Sequence, residues 1–316
     1  MRISTQCGGH PIRKGIDLYA MFIKNYSVIA PLVKCAPFIK WAGGKRQLLA
    51  ELRARLPSCW NTYYEPFVGG GALLVNLENE GRLSCAVISD LNSELINLYR
   101  VVQDTPGALI TALSDEAFRN DEASYILQKE RFNALIGDPV HEIERAALLI
   151  YLNKHGFNGL WRVNRKGKFN VPFGSHKKRS IPSDTSLLKF SAMLEKVRVL
   201  NKDFEAAVKP ARKGDFIYFD PPYQPLSKTA SFTDYNPRGF RFGDQERLAR
   251  LFRRLSKKGI QLMLSNSKVP EIEDLYEGFC IETVVAKRFI NCNGERRSGI
   301  QEIIVTNYRE PSGEVF

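Results

Sequence analysis

Histidine is scarce in this chain, cysteine follows no pattern, and no long apolar run occurs. Four histidines accompany six cysteines, Cys7, Cys35, Cys59, Cys85, Cys280 and Cys292. No two of them form a C-x-x-C pair, which excludes a Cys/His zinc framework and a disulfide scaffold and sets a reducing cytoplasm as the expected compartment, with no metal required. The most apolar N-terminal stretch, Ile16 to Val33, is interrupted by Asp17, Lys24, Asn25 and Pro31. It falls short of the ~20 apolar residues a span needs, so a soluble intracellular protein with no membrane partner is expected. Internal repeats and low-complexity tracts are also lacking. Acidic residues are few: 34 Asp and Glu face 46 Lys and Arg, a formal charge of +12 and a pI near 9.4. Clustered cations gain affinity by displacing phosphate counterions, so a polyanionic partner is favoured.

What is present is a large core and a patterned chain. The 316 residues are 44% hydrophobic and 11% aromatic, enough for one large domain or two modest ones. Residues 1–36, with the breaker-rich "CGGHPIRKG", read as a flexible extension. In "PFIKWAGGKRQLLAELRARL" a Gly-Gly loop delivers Lys45 to a helix whose apolar positions are Leu48, Leu49, Leu52 and Leu56. "NTYYEPFVGGGALLVNL" then reads as a strand, a glycine turn and a helix, and "CAVISDLNSELINLYRVV" as a strand closed by Asp90 and another helix. Helical patterns break the alternation between Thr105 and Met193. Strand-like runs resume at "VRVLNKDF", "FIYFD", "IQLMLSN", "CIETVVAK" and "EIIVTNY". An α/β sheet interrupted by a helical insertion accounts for this order.

Ligands of open α/β sheets sit at the carboxyl ends of the strands. A glycine turn after the first strand lets a cofactor approach the backbone, and an acid after the second can accept from ribose hydroxyls. Gly69, Gly70, Gly71 and Asp90 occupy those places, although F-V-G-G-G is not the dinucleotide signature G-x-G-x-x-G. After "FIYF" come Asp220, Pro221, Pro222 and Tyr223, an acid made rigid by two prolines and followed by an aromatic ring.

Taken in order, "PFIKWAGGK", "EPFVGGGALL", Asp90, "NGLWRVNRKGKFNVPFG" and "DPPY" closely resemble the Dam-type (D12 class) adenine-specific DNA methyltransferases, from about Pro37 to Tyr308. The resemblance implies a Rossmann-like S-adenosylmethionine-dependent methyltransferase fold with an inserted helical DNA-recognition domain. The catalytic domain would be discontinuous, residues 37–104 and 194–316, and the recognition insertion residues 105–193. It implies S-adenosylmethionine as cofactor and double-stranded DNA as partner, in a monomer of the bacterial cytoplasm or nucleoid, or one encoded by a phage. Cofactor contacts map onto Trp41, Lys45, Phe67, Gly69, Gly71, Asp90, Asp203 and Asp220. The catalytic group maps onto Asp220, the Pro221 carbonyl and Tyr223. Two acceptors can each take an N–H of adenine N6, whose lone pair is otherwise delocalised, while Tyr223 stacks on the base. A base stacked in a duplex cannot reach such a pocket and must be flipped out.

Between Lys154 and Arg179 lie eight Lys or Arg and no acid, interleaved with Phe157, Leu160, Trp161, Phe169 and Phe173. Groove readers need cations for phosphates and apolar groups for bases. The resemblance assigns base contacts to Lys40, Phe157, Asn158, Leu160, Arg162, Pro172 and His176, with Arg162 on a guanine edge, and it points to GATC as the site. Phe157 stands where relatives often carry tyrosine, and His176 where a phenolic ring is common. Arg288 and Arg296 are candidate phosphate contacts. Cytosine-N4 methylation, a non-catalytic DNA-binding relative and a dinucleotide oxidoreductase are the alternatives; the last leaves the Asp-Pro-Pro-Tyr run unexplained. Whether the setting is restriction–modification, an orphan regulator or a prophage is written in neighbouring genes rather than in these residues.

Overall fold

Seven strands form one sheet in the order β3-β2-β1-β4-β5-β7-β6. The computed structural model describes residues 34–41, 43–175, 181–223, 239–286 and 300–309. Residues 1–33, His176, Arg288 and Arg296 lie outside the described residues. Ala36–Phe316 is one compact unit, distinct from Met1–Cys35.

The unit starts with a 3-10 turn at Lys45–Gln47 and helix α1, Leu49–Arg53. Strand β1, Tyr63–Glu65, leads through the glycine turn into α2, Ala72–Asn79. Strand β2, Ala86–Ser89, leads into α3, Ser93–Asp104. Asn92 caps α3 by accepting from the Glu94 and Leu95 amides, which satisfies donors that a helix start leaves open. Then come α4, Pro106–Leu113, α5, Glu122–Leu135, α6, Glu142–His155, and α7, Asp184–Leu194. Thr105 separates α3 from α4 because Pro106 at the first helical turn suits a helix start and not a helix interior. The sheet resumes with β3, Val197–Leu200, helix α8, Phe204–Ala207, and β4, Phe216–Phe219. It closes with α9, Phe242–Ser256, β5, Gln261–Ser267, α10, Pro270–Leu275, β6, Cys280–Ala286, and β7, Ile300–Thr306.

Strands β1 to β5 pair in parallel, and β7 runs antiparallel between β5 and β6. The connections reverse direction between β1 and β4, which opens a crevice at the carboxyl ends of those two strands. Alternation along the strands decides what fills each face. Ile217, Phe219, Leu262, Leu264, Ile303 and Val305 pack on one side against Leu248, Leu251, Phe252 and Leu255 of α9. Helices α4, α6 and α7 pack on α3, and the Arg145 guanidinium of α6 donates to both Glu94 oxygens at 2.7 and 2.6 Å. Both partners are buried, so removing either would strand a charge in the interior. Among the described residues no helix is long and apolar enough to cross a membrane.

Candidate active site

Asp220 leaves the end of β4 into the crevice. Two donors converge on its Oδ1: Lys45 Nζ at 2.8 Å and Ser265 Oγ at 2.9 Å. Burial pushes the Asp220 carboxyl above its ordinary value, and Lys45 and Ser265 act against that shift. Lys45 also donates to the Gly43 carbonyl at 2.7 Å and lies 4.4 Å from the centre of the Tyr223 ring. The lysine delivered by the Gly-Gly loop thus stands on the acid itself. Tyr223 is fixed at its far end, where its hydroxyl donates to Glu302 of β7 at 2.7 Å. Pro221 is buried. The Pro222 carbonyl accepts from Gln245 at 2.9 Å, and Gln245 in turn accepts from Asn266 at 3.1 Å.

The glycine turn requires its glycines. Gly69 and Gly71 have φ of +47° and +64°, which side chains other than glycine rarely adopt. A Cβ on Gly69 would stand 2.8 Å from Trp41 Cδ1, and one on Gly71 would stand 2.9 Å from the Tyr99 hydroxyl. Trp41 therefore packs directly on the turn, while its ring stacks on Trp161 at 6.1 Å. The Gly69 amide donates to Asp90 Oδ2 and the Asn92 amide to Oδ1, tying the acid after β2 to the turn after β1. Burial raises the Asp90 carboxyl, and those amides oppose the rise. Phe67 stacks on Phe204 at 5.3 Å. Asp203 caps α8 through the Glu205 amide and pairs with Arg247 at 2.7 Å, holding that guanidinium over the Phe204 ring.

The basic segment forms a second cluster. Asn158 is left-handed at φ 53°, and the amide of exposed Phe157 donates to the Pro172 carbonyl at 2.9 Å. Arg162 is exposed, yet its Nε and Nη2 donate to Asn170 Oδ1 and O, each at 2.8 Å. Asn153 joins Lys40 to Gly159, next to Asn158 and Leu160, while backbone bonds tie Phe157 to Pro172 and Asn170 to Arg162. Trp161 and Phe169, expected among the groove-reading aromatics, are instead 6% and 2% exposed. They pack with Phe132 of α5 in one aromatic cluster. Ser265, Tyr218, Gln245, Asn266, Glu302 and Asn153 were not evident as functional from the sequence. For all but the half-buried Glu302 the one signal is polar atoms in buried positions, as in the Ser-Asn-Ser end of the apolar strand β5.

A parallel sheet with this crossing order and one antiparallel strand, carrying its glycine turn and both acids at the carboxyl edge, is the Rossmann-like methyltransferase architecture. Comparison narrows the class. The family model of D12 class N6 adenine-specific DNA methyltransferases matches residues 41–290, and the chain belongs to that family of enzymes. It is 44% identical over 279 residues to the type II methyltransferase M1.LlaDCHI of Lactococcus lactis subsp. cremoris, covering 87% of this chain and 96% of that one. The type II methyltransferase M.MjaIII of Methanocaldococcus jannaschii is likewise 44% identical over 286 residues, covering 86% and 99%. The DNA adenine methylase of Haemophilus influenzae is 35% identical over 280 residues, covering 87% and 95%.

Proposed function

We propose that this adenine-specific DNA methyltransferase takes its methyl group from S-adenosylmethionine and delivers it to an adenine flipped out of duplex DNA within GATC. In this reading residues 37–104 and 194–316 catalyse, and residues 105–193 recognise the target. The residues present suit that cofactor. The turn at Gly69–Gly71 is bare of side chains, and a Cβ added at Gly69 or Gly71 would collide with Trp41 or Tyr99. Asp90 fixes the turn by accepting from the Gly69 amide. Gly69, Gly71, Phe67, Trp41, Asp90, Asp203 and Lys45 would hold it, and when bound it supplies a methyl group on a positively charged sulfur.

The protein's part is to prepare the nitrogen. An ionised Asp220 and the Pro221 carbonyl accept the two amino hydrogens, which frees the lone pair from the ring, and the carboxylate can take the proton the nitrogen sheds. Lys45 and Ser265 favour that ionised state against burial. Tyr223, anchored by Glu302, offers a ring face to the base. The observation that carries the reading is the convergence of Lys45 and Ser265 on one oxygen of Asp220, beside an anchored tyrosine. Because Asp220 is only 17% exposed, flipping supplies the access a stacked base lacks.

The test is transfer of labelled methyl from S-adenosylmethionine to duplexes that contain GATC or differ from it at one base pair, with Asp220→Ala as control. Label in N6-methyladenine of the GATC duplex alone, lost in the variant, is expected. Equal methylation of the altered duplexes would overturn the assigned site, and turnover by the variant would overturn the role of Asp220.

A further inference from the structure

Tyr218, Asp220 and Ser265 share one face of the sheet. β4 and β5 pair with Tyr218 opposite Met263 and Phe219 opposite Leu264, so the next step sets Asp220 level with Ser265. Their neighbours in register, Phe219 and Leu264, point the other way, into the core against α9. Tyr218 and Ser265 are 1% and 0% exposed. The Tyr218 hydroxyl and Ser265 Oγ are 2.8 Å apart, and Ser265 Oγ is 2.9 Å from Asp220 Oδ1.

The direction of these bonds follows from chemistry. An ionised carboxylate only accepts, so the single hydroxyl hydrogen of Ser265 goes to Asp220. Tyr218 must then donate to Ser265. Lys45 donates to the same Oδ1. Among the described residues no donor bonds Oδ2 of Asp220. The two oxygens of this carboxylate are therefore not equivalent: one is committed to the protein, and the other is available.

We propose that the buried Tyr218–Ser265 pair is a positioning device that commits Oδ1 of Asp220 to the sheet and thereby presents Oδ2 to the amino group of the substrate. The inference rests on Asp220 being the acceptor. A carboxylate turns readily about its last bond, and only a donor fixed in the sheet distinguishes its oxygens. Lys45 cannot do this alone, because it reaches Asp220 on a flexible stem from the short turn after the Gly-Gly loop, whereas Ser265 sits in the middle of the β5–β7 ladder. The other titratable groups near Asp220 are Tyr63 and Glu65 of β1, Tyr218 and Tyr223. Glu302 of β7 also faces Tyr223. Glu65, pushed up to about 8 by burial, is neutral across the acid limb of activity and adds no charge there.

Ser265→Ala, Ser265→Thr and Tyr218→Phe test the device through kcat, the KM of each substrate, and the pH dependence of kcat. In Ser265→Ala, kcat should fall by up to about 100-fold, with both KM values little changed. Its acid limb should move to higher pH, because the ionised Asp220 loses a donor. Threonine, which retains the hydroxyl, should restore both readouts, and Tyr218→Phe should shift them the same way by less. A serine needed only for packing would leave the acid limb in place and would not be rescued by threonine, and that result would overturn the proposal. Should Ser265→Ala fail to fold, Tyr218→Phe, which removes a single oxygen, carries the same test. Asp220→Ala separates the two readings. If it is inactive while Ser265→Ala is normal, the positioning role alone falls; if it is active, the acceptor role falls as well.

Discussion

Asn153, at the end of α6, clasps the backbone of Lys40: its Oδ1 accepts the Lys40 amide at 2.9 Å and its Nδ2 donates to the Lys40 carbonyl at 2.7 Å. The same Nδ2 reaches the Gly159 carbonyl at 3.0 Å, so one buried amide joins the segment before Trp41 to the turn that carries Asn158 and Leu160. Asn153→Ala should cost about 1 to 3 kcal/mol of stability, since it leaves backbone groups of both segments unpaired. It should also relax sequence discrimination more than it lowers the rate on the best site. Denaturant unfolding, together with methylation of GATC and singly altered duplexes, checks both; unchanged discrimination would limit Asn153 to a structural clasp.

Gly69→Ala should weaken cofactor binding specifically. The residue sits at φ +47° with its would-be Cβ 2.8 Å from Trp41 Cδ1, so the turn or the tryptophan must move. Calorimetric titration with S-adenosylmethionine is expected to show at least a tenfold loss, about 1.4 kcal/mol, while duplex affinity without cofactor stays near normal. Equal losses for both ligands would mean that Trp161 and the basic segment around it moved with Trp41 through the ring stack.

The motifs legible in the sequence are those where backbone conformation restricts residue type. Positive φ demanded glycine at positions 69 and 71, and prolines after a buried strand marked the Asp220 turn. The central strands were legible as short continuous apolar runs because they are buried on both faces. The support beneath the site was not. Ser265 and Asn266 are adjacent in sequence yet serve opposite faces of β5, one on Asp220 and the other through Gln245 on the Pro222 carbonyl. Nothing local distinguishes such residues from an ordinary polar strand end, because their partners are remote in sequence. Trp161 and Phe169 illustrate the converse. An aromatic in a basic loop suits a groove reader or a small core equally well, and only the packing against Phe132 decides it.

Glu65 gives a pH prediction. It is buried at the end of β1, accepts from the Tyr63 hydroxyl at 2.9 Å, and burial pushes it up to about 8. The folded state therefore holds a proton that the unfolded chain releases in the ordinary carboxylate range. Stability from this group is full below that range and is lost as pH rises to about 8. Glu65→Gln, which stays neutral, should match the wild type near pH 4 and exceed it by about 2 to 4 kcal/mol near pH 8. Unfolding free energies measured across that window check it. A gap that does not grow with pH would mean Glu65 is ionised in the fold.

Arg162 tests how sequence is read. Its Nε and one Nη2 hydrogen are spent on Asn170, which fixes the guanidinium plane and leaves N–H groups at the outer edge, on Nη1 and Nη2, for another acceptor pair. That edge matches O6 and N7 of guanine in the major groove. Arg162→Ala should therefore cost about 1 to 3 kcal/mol and relax preference at one base pair of the site. Asn170→Ala, which keeps the arginine and frees its plane, should produce a weaker relaxation at the same base pair. A phosphate contact would behave differently, weakening all sequences equally and reducing the salt slope of binding by about one ion. Methylation of duplexes altered one position at a time, combined with binding across salt, separates the outcomes. Uniform loss with intact discrimination, in both variants, would make Arg162 an electrostatic anchor and move base reading elsewhere in the segments that Asn153 joins.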